Sequence, residues 1–98
     1  MARIIEVKGS VMDWASRNSD LIHREILEAC ERDLCKNTTV VEVVLLKTSM
    51  GITKFVLDGQ SKILNSLQLA MDSFVEREDY ETAARVRDCK KGWEEKFK

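Results

Sequence analysis

The single histidine and the three cysteines are the side chains of this sequence that most suggest a metal site or a catalytic nucleophile. His23 and Cys30 are seven residues apart, which places them on one face of a helical segment. Cys35 and Cys89 complete no C-x-x-C pair, and the spacings typical of structural zinc sites are absent. No glycine-rich loop that could form an oxyanion hole accompanies the cysteines. We therefore expect free thiols, no catalytic residue, no metal site and no cofactor.

A second group of chemically active side chains lies close together in the C-terminal part of the chain. Glu78 and Asp79 precede an apolar helical pattern, and Asp79 is the expected N-cap of that helix. Tyr80 is expected to lie across the turn with its hydroxyl in water. Arg87 and Asp88 follow one to two turns later, where each can pair with an opposite charge. The pattern predicts a helical hairpin with a polar tip.

The stretch from Leu67 to Trp93 resembles the UVR motif, a short helical hairpin found in UvrB, in UvrC, in some Clp ATPases and in McsA-type regulators. The matching core combines an acidic tip, two small residues and an Arg-Asp pair: Glu78-Asp79-Tyr80-Glu81, Ala83-Ala84 and Arg87-Asp88. In the family, this hairpin is a protein–protein contact element that pairs with another such hairpin or docks on a partner. The resemblance implies a partner-binding surface formed by Glu78, Asp79, Tyr80, Arg87 and Asp88.

Two positions of the second hairpin helix differ from the family pattern. Lys90 stands where the family usually has an apolar residue. Gly92 lies inside the predicted helix, where glycine costs about 1 kcal/mol relative to alanine. The resemblance to UVR proteins does not extend to the first 58 residues.

The same helix carries the one local basic cluster of the sequence, which suggests nucleic-acid contact through Arg85, Lys90 and Lys91. Acidic side chains are mixed with the basic ones, and residues 76–98 have no net charge. This mixture favours a solvated helix face over a nucleic-acid groove.

Hydrophobic periodicity indicates the elements of the N-terminal part. Alternation predicts a strand over residues 2–8, with Ile5 and Val7 on one face. A capping box begins at Ser10 and leads into one long helix over residues 11–36, which Asn18-Ser19-Asp20 could split into two.

The pattern of the rest of the chain predicts a β-hairpin followed by two helices. The apolar run Val40–Leu46 predicts a central strand covered on most of both faces. It forms a hairpin over residues 40–57, with a tight turn at Thr48–Gly51. The apolar period then becomes helical from Gln60 onward, and the helical pattern is interrupted once, at residues 76–79.

Composition restricts the class of protein. The chain has 98 residues, no proline, and a formal net charge of −1 from 16 basic and 17 acidic side chains. This balance argues against a polybasic protein that binds nucleic acid or membranes through overall charge. No apolar run is long enough to span a membrane, and the first residues lack the apolar core of a signal peptide, because Glu6 and Lys8 interrupt it. Three cysteines are consistent with reduced thiols, so a cytoplasmic location is expected.

These observations predict an α+β fold: a small three-stranded sheet in the order β-α-β-β, followed by a C-terminal αα-hairpin. Residues 1–58 form the first part and residues 59–98 the UVR-like hairpin, the two packed as one domain. The expected function is a non-enzymatic cytoplasmic regulator or adaptor that binds a protein partner or self-associates. The alternatives are a nucleic-acid-associated protein of repair or transcription and an oligomeric protein that binds or sequesters a small ligand.

Overall fold

The computed structural model describes residues 3–98 and contains three strands and four helices. The elements in chain order are β1 (Arg3–Glu6), α1 (Val11–Arg17), α2 (Ser19–Asp33), β2 (Val40–Thr48), β3 (Gly51–Asp58), α3 (Gln60–Glu76) and α4 (Tyr80–Lys96). The predicted α+β class and the C-terminal helical hairpin are confirmed. The predicted strand over residues 2–8 corresponds to β1, and its first residue, Ala2, lies outside the described residues.

The predicted crossover helix over residues 11–36 is two helices, α1 and α2, which meet within the segment Asn18-Ser19-Asp20 where the sequence allowed a split. Asn18 ends α1: its backbone N–H donates to the Trp14 carbonyl at 3.0 Å, and its side-chain amide donates to the same oxygen at 2.8 Å. This local pairing holds Asn18 at φ −121°, ψ 32°, outside helical geometry. Ser10 is the N-cap of α1, as predicted, and accepts from the Asp13 N–H at 3.5 Å. α2 ends at Asp33, three residues before the predicted boundary.

The sheet has the order β1-β2-β3, with β1 parallel and β3 antiparallel to β2. β2 is central as predicted, but the expectation that most of both its faces are covered is wrong, because the helices cover only one face. A β-bulge between Glu42 and Val44 inserts one extra residue, so that Val43 and Val44 are both buried. The bulge therefore explains why two consecutive residues of the apolar run, Val43 and Val44, are both in the core. On the uncovered face, the exposed apolar side chains include Ile4, Ile52 and Val56.

The helices form the other side of the molecule. α2 packs on β2, α3 packs on β3, and α4 packs on α3 and α2. The core is one continuous cluster that includes Val41 and Leu57 from the sheet and Phe74 and Trp93 from the hairpin, all nearly or fully buried. The indole N–H of Trp93 donates to the Cys30 carbonyl at 3.0 Å and joins α4 to α2.

The end of α2 is held by side chains and backbone of α4. The Lys96 ammonium donates to the carbonyls of Leu34, at 3.3 Å, and of Lys36, and so caps the C-terminal end of α2. Gly92 leaves space for Leu34, because a Cβ at position 92 would lie 2.8 Å from the Leu34 Cδ2 atom. The glycine that disfavours the helix by intrinsic propensity thus lets α2 and α4 approach each other.

The three cysteines are free thiols, as expected from their spacing. Cys30 and Cys89 are buried between α2 and α4, while Cys35 is exposed. Burial raises the pKa of the Cys30 thiol and raises that of Cys89 to about 12. Both buried thiols are therefore protonated and unreactive at neutral pH.

Candidate interaction surface on the helical hairpin

The tip of the hairpin is a tight three-residue connection between α3 and α4. Glu78 adopts a left-handed backbone conformation, with φ 58°, directly after the helix C-cap Arg77. The Glu78 N–H donates to the Val75 carbonyl at 3.0 Å, and the Asp79 N–H donates to the Phe74 carbonyl at 2.8 Å. This pair of bonds is the Schellman arrangement, which satisfies the last carbonyls of α3 and reverses the chain.

Asp79 begins α4, as predicted. Its carboxylate accepts a hydrogen bond from the Thr82 N–H at 3.3 Å. Hydrogen bonding to Thr82 is the main cause of the lowered pKa of Asp79, and the positive charges of Arg24 and Arg77 add to it. The capping bond explains why the sequence turns from α3 into α4 at this residue.

Two ion pairs fix the tip against α2. Arg77 lies 2.7 Å from Asp20, and Arg24 lies 3.4 Å from Asp79. Both guanidinium groups also lie over the buried Phe74 ring, at 4.7 Å for Arg77 and 5.5 Å for Arg24. The Asp79 carboxylate therefore contacts both the first turn of α4, through Thr82, and α2, through Arg24. Its role is to shape and anchor the tip.

An apolar groove lies between α3 and α4 on the exposed side of the hairpin. It has a volume of about 300 Å³ and is lined by Met71, Val75, Tyr80, Ala83, Ala84 and Arg87. Tyr80 is 62% exposed and Val75 is 46% exposed, so two large side chains form walls that meet water. Ala83 is buried between the helices, whereas the half-buried Ala84 forms part of the floor. An exposed groove with an apolar lining of this kind can accept an apolar side chain of a partner.

A second, more polar groove continues from the first along α4. It has a volume of about 380 Å³ and shares Met71 and Arg87 with the apolar groove, together with Lys90, Lys91, Glu94, Glu95 and Lys98. Lys90 faces Glu94 at 3.9 Å, and Arg87 pairs with the neighbouring Asp88 at 3.2 Å, both on the surface. The hairpin therefore presents an apolar centre with a charged rim of both signs.

The structure brings together only part of the predicted site. Tyr80 and Arg87 line the apolar groove, and Asp88 adjoins it through Arg87. Glu78 and Asp79 form the tip, where they stabilise the turn. Among the residues proposed to contact nucleic acid, Lys90 and Lys91 line the polar groove, while Arg85 pairs with Glu31 of α2 at 2.6 Å.

Four groove residues were absent from the predicted site: Met71, Val75, Ala83 and Ala84. Met71 and Val75 are four residues apart, so helical spacing places them on one flank of α3 beside the buried stripe. The sequence signal was therefore available, but spacing alone does not tell a core flank from an exposed wall. That distinction depends on where α4 lies.

A further pocket lies outside the hairpin. A polar pocket of about 260 Å³ lies between the sheet and α2, where Arg3 pairs with the buried Glu25 at 2.9 Å. Within residues 3–98, no three His, Cys, Asp or Glu side chains cluster closely enough to hold a metal ion. Among the helices of that range, none has the length and apolarity to cross a membrane.

Comparison with known proteins bears on the hairpin alone. The model of the UvrB/UvrC motif matches residues 61–88, which comprise most of α3 and the first half of α4, including the tip. This confirms the UVR motif that the sequence suggested. Neither a curated protein nor a solved structure matches the chain. The motif is a protein- and DNA-interaction module in repair proteins, and this chain is similar to it over most of the hairpin.

Proposed function

We propose that this chain is a non-enzymatic adaptor or regulator that binds a protein partner through the apolar groove of its hairpin. The observation that carries the proposal is that the UVR motif coincides with an exposed apolar groove lined by Tyr80, Val75 and Ala84. Buried aromatic anchors surrounded by charged rims are the usual energetic centres of protein interfaces. Tyr80 and Arg87 belong to the residue types that dominate such centres.

The groove allows a division of roles. Tyr80, Met71 and Ala84 would provide apolar contact, and Arg87 would pair with a carboxylate of the partner. Glu78 and Asp79 act indirectly, since they hold the turn that places Tyr80. The partner is thus expected to insert an apolar side chain next to an acidic one.

The test compares capture of proteins from a lysate of the native host by the full chain and by two groove variants. Ala84→Glu places a charge on the groove floor, and Tyr80→Ala removes one wall. Neither variant should capture the protein that the wild-type chain captures, and the melting temperature of each variant should equal that of the wild-type chain. The control Leu69→Ala truncates an exposed apolar residue of α3 that lines neither groove and should retain it. Retention by all three variants would exclude the groove as the contact site.

Nucleic-acid binding is a second candidate function, because Arg87, Lys90, Lys91 and Lys98 line one groove. Glu94 and Glu95 lie in the same groove and oppose a phosphate backbone. If this function holds, a gel-shift assay at low salt shows binding that falls steeply as salt rises, and Lys91→Glu weakens it. No binding at low salt would remove this candidate.

A further inference from the structure

The free edge of β3 is a second surface of the molecule, separate from the hairpin grooves. β3 is an eight-residue strand at the edge of the sheet, and it pairs only with β2 within residues 3–98. The opposite edge strand, β1, has four residues. Long edge strands offer unpaired backbone N–H and C=O groups to another chain, and proteins usually block them with short length, proline, bulges or charged side chains. β3 is long, contains no proline and has no bulge of its own, so its two charged side chains, Lys54 and Asp58, decide what its edge can accept.

The side chains of β3 on the uncovered face follow a self-complementary order. Lys54, Val56 and Asp58 alternate along the strand as positive, apolar and negative, and all three are exposed. Neither Lys54 nor Asp58 takes part in an ion pair in the part of the chain that the structure describes. Two such strands in antiparallel order place each lysine opposite an aspartate.

We propose that two copies of this chain associate through antiparallel pairing of their β3 edges about a two-fold axis at Val56. In this register, Lys54 of each copy lies opposite Asp58 of the other, and the two Val56 side chains meet at the axis. Opposite charges and apolar pairs directly across an antiparallel ladder stabilise it. The half-buried Phe55 then faces Leu57 of the second copy on the side of the helices.

Charge selects this register among the symmetric alternatives that pair five or more residues of β3. An axis at Lys54 places the two lysines opposite each other. An axis at Phe55 places Lys54 opposite Val56, and an axis at Thr53 places it opposite Ile52. Only the axis at Val56 gives complementary charges, and it gives them twice. Like charges directly opposed are destabilising, so the arrangement also disfavours the neighbouring register at Lys54.

The first experiment is a charge swap followed by sedimentation of the full chain over a range of concentrations. The wild-type chain should form a dimer. Lys54→Asp and Asp58→Lys should each weaken the dimer by about tenfold, because each creates two repulsive pairs. The double variant Lys54→Asp/Asp58→Lys should restore it. Lys8→Asp, a reversal of an exposed charge outside β3, is the control and should leave the dimer unchanged.

The second experiment tests the register by oxidation. Val56→Cys in a Cys35→Ser background should cross-link rapidly, because directly opposed residues of an antiparallel pair have Cα atoms about 4.5 to 5.5 Å apart, within the range of a disulfide. Lys54→Cys in the same background should not, since the two positions would be separated by four residues of strand, about 13 Å.

Three outcomes would overturn the proposal: a monomer at all concentrations, a dimer that is indifferent to both charge reversals, or equal cross-linking of the two cysteine variants. A dimer lost in Ala84→Glu but not in Lys54→Asp would place self-association at the hairpin groove. The proposal does not depend on the function of the groove, and the two sets of variants distinguish their failures.

Discussion

At the scale of the residue, the tip of the hairpin depends on a backbone conformation that most side chains avoid. Glu78 is the only residue other than glycine with positive φ among residues 3–98. The left-handed region costs a residue with a Cβ about 1 kcal/mol or more. The two Schellman bonds and the ion pairs of the adjacent Arg77 and Asp79 keep it there.

We expect Glu78→Gly to raise the free energy of unfolding by up to about 1 kcal/mol, because glycine adopts positive φ without strain. Part of the gain is offset by the greater freedom of glycine in the unfolded chain. The matched control, Glu81→Gly in the first turn of α4, should instead lower it by about 1 kcal/mol. Chemical denaturation measures both, and a loss of stability in Glu78→Gly would contradict this account of the tip.

His23 lies against the edge of the Phe74 ring, with ring centroids 6.4 Å apart, and its Nδ1 atom is buried without a hydrogen-bond partner in the described residues. Burial is the main cause of the lowered pKa of His23, and Arg77 adds to it, while Asp20 opposes it. The unfolded chain therefore binds this proton more readily than the folded chain does.

Stability is consequently expected to fall as pH drops below about 6.5, the ordinary pKa of histidine, until the folded form also protonates. In His23→Gln this part of the pH dependence should disappear. Melting temperatures of both proteins between pH 5.5 and 7.5 provide the measurement. Parallel curves for the two proteins would show that His23 is not the titrating group.

At the scale of the element, Arg32 connects the end of α2 to the bulged segment of β2. Its guanidinium binds the Asp33 carboxylate with bonds of 2.9 and 3.2 Å and donates to the Glu42 carbonyl at 2.7 Å. Asp33 is buried, and hydrogen bonds from Arg32 are the main cause of its lowered pKa, followed by Lys36. One side chain thus joins a helix, a buried carboxylate and a strand.

Arg32→Met should lower the free energy of unfolding by about 2 kcal/mol, because it leaves the buried Asp33 with only Lys36 as a charged partner. Arg85→Met is the control, since it breaks a pair that lies on the surface and should cost less than about 1 kcal/mol. Urea titration of both variants tests the difference. Equal losses would mean that Arg32 contributes no more than an ordinary surface charge.

The order and type of the elements could be predicted from the sequence because their signals are local. Ser10 and Asp79 cap helices through their own neighbours, and the turn at Thr48–Gly51 requires only its own residues. The break at Asn18 was harder to predict, because it depends on a side-chain bond that competes with continued helix. The bulge was not predicted, since an apolar run does not reveal which of its residues is extra.

At the scale of the whole molecule, the core crosses the boundary between residues 1–58 and residues 59–98. Phe74 and Trp93 of the hairpin lie in one cluster with Leu27 and Cys30 of α2. The hairpin therefore buries its apolar stripe against the preceding helix and does not form a separate core.

We expect residues 59–98 alone to lose most of their helical structure, because isolated helices of this length are marginal without packing partners. The emission of Trp93, fully buried in the full chain, should shift to longer wavelength. Circular dichroism and fluorescence of the segment, compared with the full chain, provide the measurements. Cooperative unfolding of the isolated segment would show that the hairpin is an independent unit.

The candidate site was only partly predictable, because several of its contacts join residues that are far apart in sequence. The UVR pattern pointed to Tyr80 and Arg87, which line the groove. It could not show that Arg24 and Asp20 of α2 hold the tip, or that Glu31 engages Arg85, because these partners lie more than 50 residues away in sequence. Pairing at such separation follows from the packing of α2 on the hairpin.

The helices cover one face of the sheet, and this arrangement decides how many partner-binding grooves a dimer would present on one side. A two-fold axis between antiparallel strands stands perpendicular to the sheet, so two chains joined at β3 would carry both hairpins on the same side. One partner with two binding segments could then occupy both grooves at once, and its second contact would form at high effective concentration. Weak individual binding would suffice for long-lived capture, and dilution of the chain would weaken capture more steeply than any single groove contact predicts.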